Sequence, residues 1–164
     1  MKLIKYTLLL SIFLALGACA SKFRTYSGPE VTRIAIYKEQ RAMYLFSGTD
    51  VLSEHKIDLG FAPTGDKQFE GDGKTPEGRY TIDRRNPDSS FYLSIGISYP
   101  NAEDIAAARA AGKDPGGDIF IHGQARPFQK RGIDWTAGCI SVSNREIEKI
   151  YAMVKNGTVI DIYP

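Results

Sequence analysis

Two side chains in this sequence have the type and the setting for covalent chemistry. Cys139 stands in Asp134-Trp135-Thr136-Ala137-Gly138-Cys139-Ile140, and His122 stands upstream in Ile121-His122-Gly123. A thiolate is a strong nucleophile and histidine is the commonest side-chain base, so the pair suits acyl transfer through a thioester. Gly138 permits a tight turn and leaves backbone N–H groups near the sulfur to stabilise a tetrahedral oxyanion. A nearby His⁺ would also lower the thiol pKa, so a primed thiolate should react with iodoacetamide below the usual thiol value of about 8.5. Spacing and glycine context alone leave another reading open, in which Cys139 is an inert buried hydrophobe that never meets the histidine. A tetrahedral metal site needs three or four ligands, whereas only one Cys and one His cluster here, with no CxxC pair. No Gly-x-Ser-x-Gly is present to support a serine hydrolase.

The elements that position these residues begin after a separate N-terminal stretch. Lys2 and Lys5 precede an apolar run from Leu8 to Ala18, the pattern of a secretory signal peptide and too short for a spanning helix, which needs roughly 20 residues. Leu16-Gly17-Ala18-Cys19 resembles the lipobox of bacterial lipoproteins. The resemblance implies lipidation of Cys19, cleavage before it, and a periplasmic, membrane-anchored protein of the cell envelope. With Ala20 next, it implies outer-membrane sorting where the host has an outer membrane. Residues 1–18 then form the signal, 19–30 the lipidated Cys19 and a small, polar tether, and 31–164 one catalytic domain. The full chain carries a net charge of +2; losing Lys2 and Lys5 brings the mature part to neutrality. Nothing there calls for nucleic acid as a partner, which needs clustered Lys and Arg. Of the two cysteines, Cys19 is committed to lipid, so Cys139 has no disulfide partner within the chain. A free thiol in an oxidising compartment points to function.

Within the domain, Val31–Lys38 and Ala42–Phe46 are rich in β-branched and aromatic residues and read as a hairpin. Alternation from Val51 to Leu59 predicts a third strand with Val51, Ile57 and Leu59 inward and His55 on that face as a hydrogen-bonded structural histidine. Gly71 to Gly78 is a glycine-rich loop that lacks the order of a phosphate cradle. Arg79–Asp83 and Phe91–Ile95 read as strands, and Asn101–Ala111 as a helix capped by Asn101. Asp118–Ile121 delivers His122 at a strand end, and a loop of about fifteen residues follows. Ile140 and Val142 suggest a short strand beside Cys139. Ser143 with Glu146 forms a capping box that opens a helix over Asn144–Val154, and Thr158–Ile162 closes the chain as a strand. The fold class is mainly β with two helices.

Ile121-His122-Gly123, a loop, and Thr136-Ala137-Gly138-Cys139-Ile140 resemble the catalytic signature of the L,D-transpeptidase (YkuD-like) family. Gly71-Asp72-Gly73-Lys74-Thr75-Pro76-Glu77-Gly78-Arg79-Tyr80, Ser98-Tyr99-Pro100-Asn101 and Gly116-Gly117-Asp118-Ile119-Phe120 resemble further family segments, covering Thr32 to Tyr163. The resemblance implies a β-sandwich-like catalytic domain, no metal or organic cofactor, and a peptidoglycan tetrapeptide stem as donor. It implies Cys139 as nucleophile attacking the carbonyl of the third residue, His122 as base, and release of the terminal D-alanine. A stem amine or a protein lysine then resolves the thioester. Gly123, Thr136, Gly138 and Ser141 are the residues expected to bind substrate or stabilise the oxyanion. The family motif usually reads Ser-His-Gly-Cys, often with arginine two positions after the cysteine; here these positions hold Thr136, Ala137 and Ser141. Arg126 or Arg131 in the preceding loop could replace that charge towards a carboxylate, the other reading being that both are solvated loop arginines. With water as acceptor the same thioester gives a peptidoglycan amidase or carboxypeptidase. A non-catalytic peptidoglycan-binding lipoprotein is the alternative from another class. Pro63 to Lys74 has the glycine content of a mobile lid.

Overall fold

The computed structural model describes residues 21–125 and 132–164. The proposed signal peptide, Cys19, Arg126 and Arg131 lie outside the described residues. Eight strands form one strongly curled sheet: β1 (Arg33–Tyr37), β2 (Ala42–Ser47), β3 (Asp50–Lys56), β4 (Gly78–Asn86), β5 (Ser94–Ile97), β6 (Phe120–His122), β7 (Ile140–Ser141) and β8 (Val159–Tyr163). The described residues also form two helices, α1 (Ala102–Ala110) and α2 (Asn144–Met153). Strand order is β3-β2-β1-β8-β4-β5-β6-β7, with β1 parallel to β8 and β6 parallel to β7.

β4 belongs to two layers. Gly78 to Thr81 pairs with β8, while Ile82 to Asn86 pairs with β5 across a bulge between Ile82 and Arg84. A bulge bends its strand, and here it turns the second half of the sheet over the first. Between the layers lie Ile34, Ile36, Leu45, Ile82, Ile121 and Ile160, all fully buried. The free edges are closed as well. Asp58, just past β3, exchanges backbone hydrogen bonds with Ser141 on β7 at 2.9 and 2.8 Å, so the two ends of the sheet meet. Both helices begin with complete capping boxes, Asn101 with Asp104 and Ser143 with Glu146, which fix where each starts.

The mainly β class with two helices is what the structure shows, with local departures. Phe91 to Leu93 form a turn in which Tyr92 takes φ 78° and donates to Ser89 O, so β5 begins at Ser94. Val51 is 55% exposed, because a register shift between Leu45 and Phe46 turns this end of β3 outward. Ile57 and Leu59 are buried as expected, beyond the strand's end. His55 is buried, with Nε2 2.9 Å from Ser53 Oγ and Nδ1 3.7 Å from Glu146. The described part of the tether lies against the domain: Arg24 pairs with Glu148 at 2.5 Å, and Lys22 donates to Pro87 O at 2.5 Å.

Candidate active site

β6 and β7 bring Cys139 and His122 to one face. Their parallel register sets His122 opposite Ser141 and Ile121 opposite Ile140. Side chains alternate along a strand, so Ile121 and Ile140 enter the core while His122 and Ser141 share the other face. Cys139 directly precedes β7 and returns to that face. Cys139 and His122 both line a cleft of about 270 Å3, whose other walls include Ser89, Phe91, Asp118 and Phe120.

Cys139 is held by its own turn. Gly138 takes φ 135°, and a Cβ there would stand 2.7 Å from Lys74 O, so this position requires glycine against the glycine-rich loop. Thr136 Oγ1 accepts the Gly138 N–H at 3.1 Å and donates to Cys139 O at 2.7 Å. Thr136 is itself tied to the stretch after β3, its N–H donating to Leu59 O at 3.1 Å and its carbonyl accepting from the Phe61 N–H at 2.9 Å. The sulfur lies 3.5 Å from Asp118 O. Burial pushes the Cys139 thiol up, against the lowering effect of the Phe120 N–H; Asp118 raises it further, while Lys67 and Arg84 lower it. Burial thus works against the primed thiolate expected from the sequence. The physical reason is that burial outweighs the nearby positive charges. A thiol raised in this way would need a positioned base to lose its proton.

His122 is 3% exposed, and its Nδ1 lies 2.6 Å from the carbonyl oxygen of Gly123. A carbonyl can only accept, so Nδ1 carries the proton and Nε2 is the basic nitrogen. The ring is clasped by Phe91, with centroids 4.5 Å apart, and by Trp135, at 5.7 Å and near-perpendicular. Gly123 sits where any Cβ would meet Asn144 Oδ1 at 2.6 Å and Ile147 Cγ2 at 2.9 Å. Its N–H donates to Leu93 O at 3.2 Å, and Asn144 Oδ1 accepts the next N–H, from Gln124, at 2.7 Å. The N-terminus of α2 thus fixes the strand end that carries His122.

The structure thus gathers Cys139, His122, Gly123, Thr136, Gly138 and Ser141 around one strand pair. In this conformation the N–H groups of Gly123 and Gly138 are engaged inside the protein. Ser141 is 1% exposed, with its hydroxyl unpaired and its backbone bonded to Asp58. Sequence reasoning missed Phe91, Trp135 and Asp118. Trp135, the chain's single tryptophan and close to Cys139, was the one available signal. Arg84 on β4 pairs with Asp118 at 3.0 Å and lies 4.5 Å over the Phe120 ring, two residues that line the cleft. Among the described residues, no group of three or more His, Cys, Asp or Glu could hold a metal ion.

The model of the YkuD family, the L,D-transpeptidase catalytic domain, matches residues 32–162. YafK of Escherichia coli (strain K12), named provisionally as an L,D-transpeptidase, is 33% identical over 144 residues, 80% of this chain and 53% of its own. Among solved structures, the helical cell shape determining protein Pgp2 from Campylobacter jejuni matches with a TM-score of 0.63 and 26% identity, over 93% of this chain and 54% of its own. Bd1075 of Bdellovibrio bacteriovorus matches with a TM-score of 0.61 and 26% identity, over 82% and 48%. The chain spans about half the length of the relatives it matches.

Proposed function

This chain belongs to the L,D-transpeptidase catalytic domain family, and from that premise we propose that it performs cysteine-dependent acyl transfer on peptidoglycan stem peptides. The observation that carries the reading is the shared cleft of Cys139 and His122, with the His122 Nδ1 proton held by Gly123 O. His122 Nε2 takes the thiol proton as Cys139 Sγ attacks the carbonyl of the third stem residue. A tetrahedral oxyanion forms and collapses to a thioester, and His122 returns the proton to the departing D-alanine amine. An amine of another stem, or of a protein lysine, attacks the thioester, and His122 takes that proton in turn. The thiol is regenerated and a new amide is left.

The family supports peptidoglycan as the substrate, and the relative Pgp2 is described as determining cell shape, which fits cell-wall remodelling. The lipobox-like Leu16-Gly17-Ala18-Cys19 supports a periplasmic lipoprotein anchored through Cys19. Ser141 favours a second reading of the last step. It is a small, buried residue where family members often carry arginine, so this position itself offers no charge to an amine acceptor's carboxylate, and water competes for the thioester.

Mass analysis of muropeptides incubated with the Cys19→Ala chain lacking residues 1–18, and with the same chain carrying Cys139→Ala, tests both readings. Cross-linked or amine-exchanged products that need Cys139 establish the transpeptidase. Shortened or released stems alone move the assignment to an amidase or carboxypeptidase. Unchanged muropeptides across several stem lengths overturn both and favour a binding lipoprotein.

A further inference from the structure

The β1–β2 turn is remote in sequence from the cleft, yet it grips the segment that carries Cys139. Arg41 closes this turn with φ 52°, its N–H donating to Lys38 O at 3.2 Å. Its guanidinium reaches Asp134: Nε donates to Oδ1 at 2.9 Å and Oδ2 at 3.1 Å, and Nη2 donates to Oδ2 at 2.6 Å. Nη1 is engaged by the Lys38 carbonyl. Asp134 is also left-handed, φ 53°, and its Oδ1 accepts the Leu59 N–H at 3.0 Å. Two non-glycine residues in this region, joined by one forked ion pair, persist only where their surroundings hold them there. The side chains are 26% and 10% exposed, so water screens this pair less than a surface one.

Hydrogen bonds continue from Asp134 to the sulfur's own residue. Leu59, whose N–H Asp134 accepts, gives its carbonyl to the Thr136 N–H, and the Thr136 hydroxyl donates to Cys139 O. The same turn holds the facing loop. Lys38, 2% exposed, donates from Nζ to Gly65 O at 2.6 Å, Thr75 O at 2.9 Å and Glu77 Oε1 at 2.7 Å. That loop contributes Lys74 O, against which Gly138 packs. One four-residue turn, Lys38 to Arg41, therefore anchors both walls between which the Cys139 turn is set.

We propose that Arg41 and Asp134 are positioning residues for Cys139: their forked ion pair sets the 134–139 segment so that the sulfur meets His122 in line. The inference rests on the acyl-transfer reading above. Neither side chain lines the cleft with Cys139, so the pair acts through the segment and not on substrate. Misplacing a reacting atom by about 1 Å costs on the order of 10²-fold in rate.

The test compares the whole chain with its Arg41→Ala, Arg41→Lys and Asp134→Asn variants, using p-nitrophenyl acetate, an acyl donor that needs no peptidoglycan. Acylation of Cys139 is followed against pH by intact mass, at a temperature well below each variant's melt. Arg41→Ala and Asp134→Asn should acylate about 30- to 100-fold more slowly. Their rate profiles should move to higher pH, because a misaligned thiol must ionise unaided. Arg41→Lys keeps the charge without the fork and should recover only part of the rate. Folded variants with the parent's rate and pH profile overturn the proposal, however far their melting temperatures fall. If Arg41→Ala does not fold, Arg41→Lys and Asp134→Asn decide it. If the parent chain leaves Cys139 unacylated, the acyl-transfer reading fails and takes this one with it. That outcome is distinct from a reactive parent with indifferent variants, which sinks the positioning role alone.

Discussion

The carbonyl oxygen of Gly123 accepts the Nδ1 proton of the residue before it, His122, at 2.6 Å. Backbone thus joins the Phe91 and Trp135 rings in orienting the histidine. Gly123 is in turn locked because no side chain fits between it and Asn144 of α2. The tautomer of the base depends on how a helix docks against a strand end, a dependence of supporting contacts on packing.

Cys139 should titrate as a buried thiol. Burial raises its pKa, so the thiolate fraction at neutral pH is below that of a free cysteine. Iodoacetamide alkylation, followed by mass against pH, should have its midpoint above about 8.5. A midpoint below that value would restore the primed thiolate and remove the need for concerted proton transfer.

Gly138→Ala should damage stability and chemistry together. The new Cβ meets Lys74 O at 2.7 Å in a backbone region that favours glycine. A cost of about 1–3 kcal/mol is expected from strain of this kind. Acyl transfer should fall by on the order of 10²-fold as the sulfur shifts. Thermal melts and the muropeptide assay check both, and an unchanged melting temperature would contradict the clash.

Glu146→Gln should flatten the acid side of the stability curve. His55 is the largest cause holding the Glu146 carboxyl down, from 4.5 to about 2, with the Ser143 hydroxyl and N–H adding to it against burial. A depressed carboxyl stabilises the fold above its unfolded pKa, and that stability drains away as pH falls towards 2. For a partly exposed group this is worth on the order of 1–2 kcal/mol at neutral pH. Urea unfolding at a series of pH values should show the variant less stable at neutrality and less sensitive to acid. Parallel curves would refute the assignment.

Phe91→Ala should loosen the ring of His122 without touching the nucleophile. The Phe91 ring lies 4.5 Å from the imidazole, centroid to centroid. The turnover number should drop by about 10-fold or more, while acylation at high pH, where the thiol ionises unaided, stays near that of the parent. A uniform fall at all pH values would mean that Phe91 serves substrate binding instead.

The sequence made legible what is local or periodic. The β1–β2 hairpin follows from β-branched and aromatic runs, and both helix starts follow from Asn101 and Ser143 with their acidic partners. His122 at a strand end and Cys139 after a glycine were also readable, because strand-then-glycine is a local pattern. The turn at Phe91 to Leu93 was not, since those residues have strand propensity and it is hydrogen bonds back to Ser89 and Phe91 that reverse them. Val51 failed for a related reason: a one-residue register shift flips the face of everything beyond it. The clasp of Phe91 and Trp135 on His122, and the pairing of Arg41 with Asp134, join segments far apart along the chain. No spacing rule indicates which distant turns will face each other.

The meeting of Asp58 with Ser141 has a consequence for when the chain becomes competent. β7 is two residues long and sits between β6 and Asp58. Its neighbours in space come from residues 58–61, 74 and 118–123, contacts distant along the chain of the kind that form slowly. Until those long-range contacts form, Cys139 has neither a base nor a wall. Alignment of Cys139 with His122 thus depends on the closing contact of the sheet as well as on the two strands that carry them.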